Sequence, residues 1–259
     1  MYDKNEFRAI SCTVEDRNMD AIRDYINGLR GKYDGVSHID LLCSKLKFRE
    51  FHNNADWYRQ RDSKIIRKWM VSSISQWLLG IPNEVMLTFV KPGETADIQK
   101  LCQFIIPKPL IDYSIFARNN DPGFNLKDAY VRHAFIIHDE LFPLNDELID
   151  TWKMITSSPS MIMKPDGKVF TLKYQRIAVP LAFTNRNQEN GGFLLRSFGY
   201  RRFGCIEIES IDSSYITAVD VHQMWAEAFM HYQIPESDET FDANDAREFE
   251  KYNAKYRIQ

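Results

Sequence analysis

The chain has 259 residues, 44% hydrophobic and 27% charged, ordinary globular usage that buries a sizeable core without staples. A formal net charge of −3 excludes a whole-molecule electrostatic attraction to nucleic acid, so any such contact needs a local basic patch. Four scattered cysteines (Cys12, Cys43, Cys102, Cys205) with no CxxC pair, a polar start and no apolar run near ~20 residues point to a reduced, cytoplasmic protein without zinc, signal peptide or membrane span.

In chain order, Met19, Ile22, Ile26 and Leu29 recur at helical spacing, and Gly31, Asp34 and Gly35 then break the chain. Ile39, Leu42, Leu46 and Phe48 suggest a second helix, and Ile65 to Leu79 a third, stopped by Gly80-Ile81-Pro82. Residues 1–80 therefore read as a helical N-terminal subdomain. Val85 to Val90 is a short strand and Ile98 to Ile105 a helix. Ala134 to Ile137 is a strand and Asp146 to Ile155 a helix. Met161 to Leu172 reads as a hairpin turning at Lys164-Pro165-Asp166-Gly167-Lys168. Ile177 to Phe183 and Phe203 to Ile208 are strands, Tyr215 to Tyr232 is one amphipathic helix, and 236–259 is a charged tail or helix. Strands alternating with helices predict an α/β core over 81–235, its sheet covered on both faces. Ligands bind such sheets just beyond the strand ends.

Three groups stand at such ends. Asp139 and Glu140 follow the strand Ala134–Ile137. Asn185 follows Ile177–Phe183, and Arg201 and Arg202 precede Phe203. A nucleotide hydrolase needs an acid to hold magnesium, an acid and a polar group to orient water, and an arginine on the γ-phosphate. Each group taken alone equally fits a surface acid pair, a turn asparagine or a solvated basic pair. Lys164 and Lys168 flank the hairpin tip and Lys173 follows it, placed either to meet nucleic-acid phosphates or to keep an exposed strand edge soluble. The aromatic residues fall mostly at core spacing, and no base-stacking platform is expected from them.

Together these stretches resemble the virulence-associated E (VapE-like) family of P-loop proteins, related to superfamily 3 helicases. The resemblance runs from about Asp20 to Tyr232. It is carried by Tyr33-Asp34-Gly35-Val36-Ser37-His38-Ile39-Asp40, where the family has Trp for Tyr33 and Arg for His38. Arg67-Lys68-Trp69-Met70-Val71, Phe183-Thr184-Asn185-Arg186 (with the family's Gly replaced by Phe183), Gly199-Tyr200-Arg201-Arg202-Phe203 and Gln223-Met224-Trp225-Ala226-Glu227-Ala228 also carry it. It implies a three-layer αβα P-loop core of the AAA+ or superfamily 3 helicase type. Asp139, Glu140, Asn185, Arg201 and Arg202 take the catalytic positions, and Arg201 or Arg202 reaches a neighbouring subunit's nucleotide within a homo- or hetero-oligomeric ring. It implies partners among DNA, single- or double-stranded, and a primase or helicase of a phage or mobile element. A primase-polymerase domain, which relatives often carry upstream, has no room in this chain.

The phosphate loop departs from that pattern. G-x-x-x-x-G-K-[ST] should follow Val85–Val90, because its amides wrap the phosphates while the lysine and hydroxyl meet charge and magnesium. Aligned on Gly93, with Lys91-Pro92-Gly93-Glu94 as the spacer, the first glycine is Val90, the second is Thr95, the lysine is Ala96 and the hydroxyl residue is Asp97. Glu94 and Asp97 add negative charge, and Pro92 removes an amide donor. The expectation is a pseudo-ATPase that acts by binding DNA or a partner. Mg-ATP is its cofactor, if it has one, with Asp139 on the metal only when nucleotide binds. Two alternatives stand beside it: an active DNA-stimulated ATPase using Lys91, and a non-enzymatic protein-interaction module.

Overall fold

The computed structural model describes residues 14–51, 54–118, 124–140, 146–164, 169–234 and 239–258. Helices α1 (Val14–Gly28) and α2 (His38–Ser44) open the chain. Strand β1 (Leu46–Phe48) and the 25-residue α3 (Ala55–Leu79) follow. Next come β2 (Met86–Val90), α4 (Ala96–Ile105), β3 (Ser114–Arg118), α5 (Leu126–Arg132), β4 (Phe135–Asp139) and α6 (Asp146–Ser157). Strands β5 (Ser160–Met163) and β6 (Leu172–Gln175) form a separate antiparallel ribbon. The chain closes with β7 (Val179–Thr184), β8 (Phe203–Ile211), α7 (Tyr215–Ala218), α8 (Val221–Tyr232) and α9 (Ala243–Asn253).

The main sheet has the order β1-β8-β2-β7-β4-β3. Its pairs are parallel except β1 with β8. The central strands are buried on both faces, so they read as continuous apolar runs. Alternate residues still divide between two cores. Leu87, Phe89, Leu181, Phe183, Ile206 and Ile208 face the larger one, which includes α3, α4 and α8. Met86, Val90, Ala182, Phe203 and Cys205 face the other, with Trp152 of α6 and Tyr256 beyond α9. Helices thus lie on both faces of a mostly parallel sheet, the mixed α/β fold expected from the alternation.

Several elements differ from the sequence reading. Leu46 and Phe48 belong to a strand, not to a second helix. Lys45 caps α2 and the chain turns to pair with β8, leaving both residues buried on one side of a strand with the burial pattern of period 2. Residues 1–80 accordingly supply the sheet with an edge strand and share its main core through α3. The single helix read over Tyr215–Tyr232 is two, because the Asp220 carboxylate accepts from the amides of His222 (2.7 Å) and Gln223 (3.4 Å) and starts α8 afresh. Strand β3 went unread; its burial is only partial, so its apolar run is too short to stand out. After α9 the chain packs tightly: the amides of Phe193 and Leu194 both donate to the Tyr256 carbonyl. Gly192, at φ +68, lies so close that a Cβ would meet the Tyr256 oxygen at 2.5 Å.

Candidate functional site

β7 lies between β2 and β4. The C-terminal ends of these three parallel strands therefore share one edge of the sheet. The loop after β2, Asn185 after β7, and Asp139 with Glu140 at the end of β4 come together there. The connection leaving β2 runs to β3 on one side while the connection leaving its neighbour β7 runs to β8 on the other, the kind of switch point at which open α/β sheets bind ligands.

The loop itself keeps the strand–loop–helix outline. β2 ends at Val90 and α4 begins at Ala96, so the position expected for a lysine is the first residue of the helix. The amide of Lys91 donates to the Thr184 carbonyl at 3.0 Å, stitching the loop to β7. Its ammonium turns back onto the loop and donates to the Glu94 carbonyl at 3.2 Å. Gly93 has φ +94, a left-handed conformation that favours glycine, with open space around it. Thr95 caps α4 without a side-chain hydrogen bond, and Asp97 puts a carboxylate in the first turn. The partial positive charge of the helix start thus already has a negative neighbour.

Asp139 and Glu140 are half-buried. Asp139 stands in register with Arg118 of β3. Glu140 has φ +49, the one positive φ outside glycine among the described residues. That conformation costs a side-chain-bearing residue roughly 1 kcal/mol and is a form of strain that clusters at functional sites. Asn185 is half-buried; its carbonyl accepts from Asn190 Nδ2 at 2.8 Å, and Thr184 Oγ1 accepts from the amide of Arg186 at 3.2 Å. In the alignment expected from the sequence, Ala96 brings no cation and Asp97 brings a carboxylate in place of the hydroxyl. Among the described residues no three His, Cys, Asp or Glu side chains converge as a metal set.

Arg201 and Arg202 are not brought to this edge. They form a 3-10 turn ahead of β8, and Phe203 pairs with Met86 at the start of β2 while Glu207 pairs with Val90 at its end. Four residues of strand, roughly 13 Å at the usual rise, separate them from their own chain's loop. Arg201 is exposed. Burial and the neighbouring Arg201 push the Arg202 guanidinium below its ordinary range. Both line an open cleft of about 340 Å³ with Glu84 and Asp242.

The β5–β6 ribbon also leaves the sheet from that opposite edge. Lys164 and Lys173 are exposed on it; Lys168 lies outside the described residues. The ribbon is apolar as well as basic, with Ile162 73% and Val169 94% exposed.

No protein-family model and no curated protein matches the chain. Among solved structures it is similar to the apo structure of the NrS-1 C-terminal region, with a TM-score of 0.53 and 10% identity, over 85% of this chain and 52% of that one. The likeness shows a shared fold, and this chain spans about half the length of that region. JCV helicase is also matched, at a TM-score of 0.41 and 10% identity over 96% of this chain and 70% of that one, too loosely to carry an argument.

Other residues emerge only in three dimensions. Arg176 is buried just before β7 and donates to the carbonyls of Ile155 (3.2 Å) and Asn83 (2.6 Å) and to Gln76. Burial lowers its guanidinium to about 10. It fastens the root of the ribbon to α3 and α6; its one sequence signal is a lone charge abutting an apolar run. Buried Glu207 accepts from Arg49 (3.0 Å), Asn187 (3.0 Å) and the Tyr256 hydroxyl (2.8 Å). The motif residues of the resemblance meet behind the sheet instead. Glu227, 1% exposed, accepts from the Ser37 hydroxyl (2.8 Å) and the amide of Ile39 (3.3 Å) and faces Arg67 Nε at 3.5 Å. Gln223 binds the amide of Asp34 and the carbonyl of Lys32. The Trp69 and Trp225 indoles donate to the carbonyls of Pro180 and Ile105. His38 accepts the Asp220 amide on Nδ1, which leaves its Nε2 proton for Asp34. These groups pin α2, α3 and α8 together.

Proposed function

We propose that this chain is a helicase-like, replication-associated protein of a phage or other mobile element, related to the VapE-like family. It binds without turning over ATP. The observation that carries the reading is the phosphate loop. It has the strand–loop–helix outline of a nucleotide site, yet Ala96 and Asp97 fill the two positions that grip phosphate and magnesium, and the ammonium of Lys91 turns back to the Glu94 carbonyl. Glu94 and Asp97 repel a triphosphate from the same place.

In this reading Asp139, Glu140 and Asn185 are the inherited edge of a hydrolase. Arg201 and Arg202 stand at the edge opposite their own loop, so a nucleotide they meet belongs to a second subunit or partner. Lys164 and Lys173 on the ribbon, with Lys168 between them in sequence, contact DNA phosphates. A second reading, a protein-interaction module, is favoured by one feature of that ribbon: Ile162 and Val169 are exposed there, and apolar side chains that leave water on binding add affinity for a protein surface.

The test is an ATPase assay with and without single-stranded DNA. The expected result is no rate above background and no difference between wild type and Glu140→Gln. A DNA-stimulated rate that Glu140→Gln removes would establish the active alternative.

A further inference from the structure

At the margin of the main core, to which Tyr58 belongs and on which Phe51 and Tyr252 pack, four aromatic residues converge beside β1. Phe51, Trp57, Tyr58 and Tyr252, with Lys251 and Lys255, line an open cleft of about 800 Å³. The rings brace one another edge to face, Trp57 on Tyr58 at 4.8 Å and Phe51 on Tyr252 at 6.3 Å between centroids. Trp57 is 44% exposed.

The charges decide what fits. Cations of the chain already cover Phe51 and Tyr252: the Arg61 guanidinium lies 3.6 Å from the Tyr252 centroid, and the Lys255 ammonium 3.3 Å from Phe51 and 3.5 Å from Tyr252; Trp57 is the ring left more open, with Arg61 6.0 Å away. Glu248, the acid of the cleft, is held by Arg61 Nε at 2.8 Å. Lys251 and Lys255 have no ion pair among the described residues. Burial lowers the Lys255 ammonium to about 7, so Lys251 carries the open positive charge of the cleft, and a flat ring with an attached anion fits there better than a cationic guest. Aromatic faces beside lysines are the combination on which bases stack irrespective of sequence.

We propose that the cleft bounded by Phe51, Trp57, Tyr58 and Tyr252 binds a nucleobase, stacked on Trp57 with its phosphate toward Lys251. The base belongs either to a free nucleotide or to a single strand. None of residues 91–97 lines the cleft, so the assignment does not rest on the reading of the phosphate loop.

Trp57 is a built-in reporter, because the other four tryptophans (Trp69, Trp77, Trp152 and Trp225) are at most 2% exposed. Intrinsic fluorescence is titrated with AMP, ribose 5-phosphate, a short oligo-dT and its abasic counterpart. Saturable quenching by AMP assigns a free nucleotide, and quenching by oligo-dT alone assigns a strand. The two baseless probes leave the signal unchanged. Dialysis with labelled AMP or anisotropy with labelled oligo-dT then reads the variants, whose folding is checked by circular dichroism. Trp57→Ala weakens binding tenfold or more, Lys251→Glu weakens it severalfold, and Lys91→Ala has no effect. Absence of quenching by every probe overturns the proposal. So does binding that survives both Trp57→Ala and Lys251→Glu but is lost in Lys91→Ala, which would put the base at the phosphate loop.

Discussion

His138 lies one residue before the acid pair, 1% exposed, with neither ring nitrogen hydrogen-bonded among the described residues and the Trp152 ring 5.6 Å away. Burial pushes its imidazole down to about 3. The unfolded chain takes up a proton near pH 6.5 that the folded protein refuses, so stability is full above that pH and falls as pH drops toward 3. Between pH 7.5 and 5 the loss from this group approaches about 2 kcal/mol. Urea midpoints of wild type and His138→Leu at the two pH values check this: the variant is expected to lose markedly less stability on acidification, and equal losses would assign the acid sensitivity elsewhere. At this scale much of the edge was legible. Asp139 closes β4 two residues beyond its apolar run with Glu140 next, and Asn185 directly follows β7. His138 was not, since nothing in Ile136-Ile137-His138-Asp139 says that the histidine points inward without a partner. Glu207 and Arg176 were hidden likewise, their partners lying far along the chain.

Among the elements, the break between α7 and α8 rests on one cap. Asp220→Ala leaves the amides of His222 and Gln223 without that carboxylate, at an expected cost of about 1 kcal/mol, read as a lower denaturant midpoint with an unchanged slope. A midpoint equal to wild type would mean that packing around Trp225 alone fixes the helix start. The apolar periodicity ran straight through this break because Tyr215 and Met224 are both core residues; the capping side chain, not the pattern, marked the boundary. Strand β1 was misread for a related reason, since Ile39, Leu42 and Leu46 continue a helical spacing that pairing with β8 overrides, while Phe48, two residues on, already has strand spacing. The β5–β6 ribbon carries its own prediction. If Lys164 and Lys173 meet phosphates, Lys164→Glu with Lys173→Glu weakens DNA binding across all sequences and lowers the salt slope by about two. An unchanged slope, measured by anisotropy over a salt series, would leave the ribbon to a protein partner.

For the molecule as a whole, the sheet order puts the loop, the asparagine and the acid pair on one edge and the arginine turn and ribbon on the other. That division separates what the chain does with its own strand ends from what it presents to others. Alternating strands and helices announced the α/β class, but the order of the strands was not in the periodicity: it depends on which buried faces fit, and an edge strand came from the segment read as a helical appendage. The aromatic cleft was invisible for the same reason, as Phe51 and Tyr252 meet only after β1 pairs with β8 and α9 folds back. The central claim is that the loop at 91–97 does not hold a triphosphate. Calorimetry of a magnesium-bound, non-hydrolysable ATP analogue tests it, run on Trp57→Ala so that stacking in the cleft adds nothing. The account predicts no saturable heat at high micromolar nucleotide; saturable one-site binding that Lys91→Ala abolishes would contradict it.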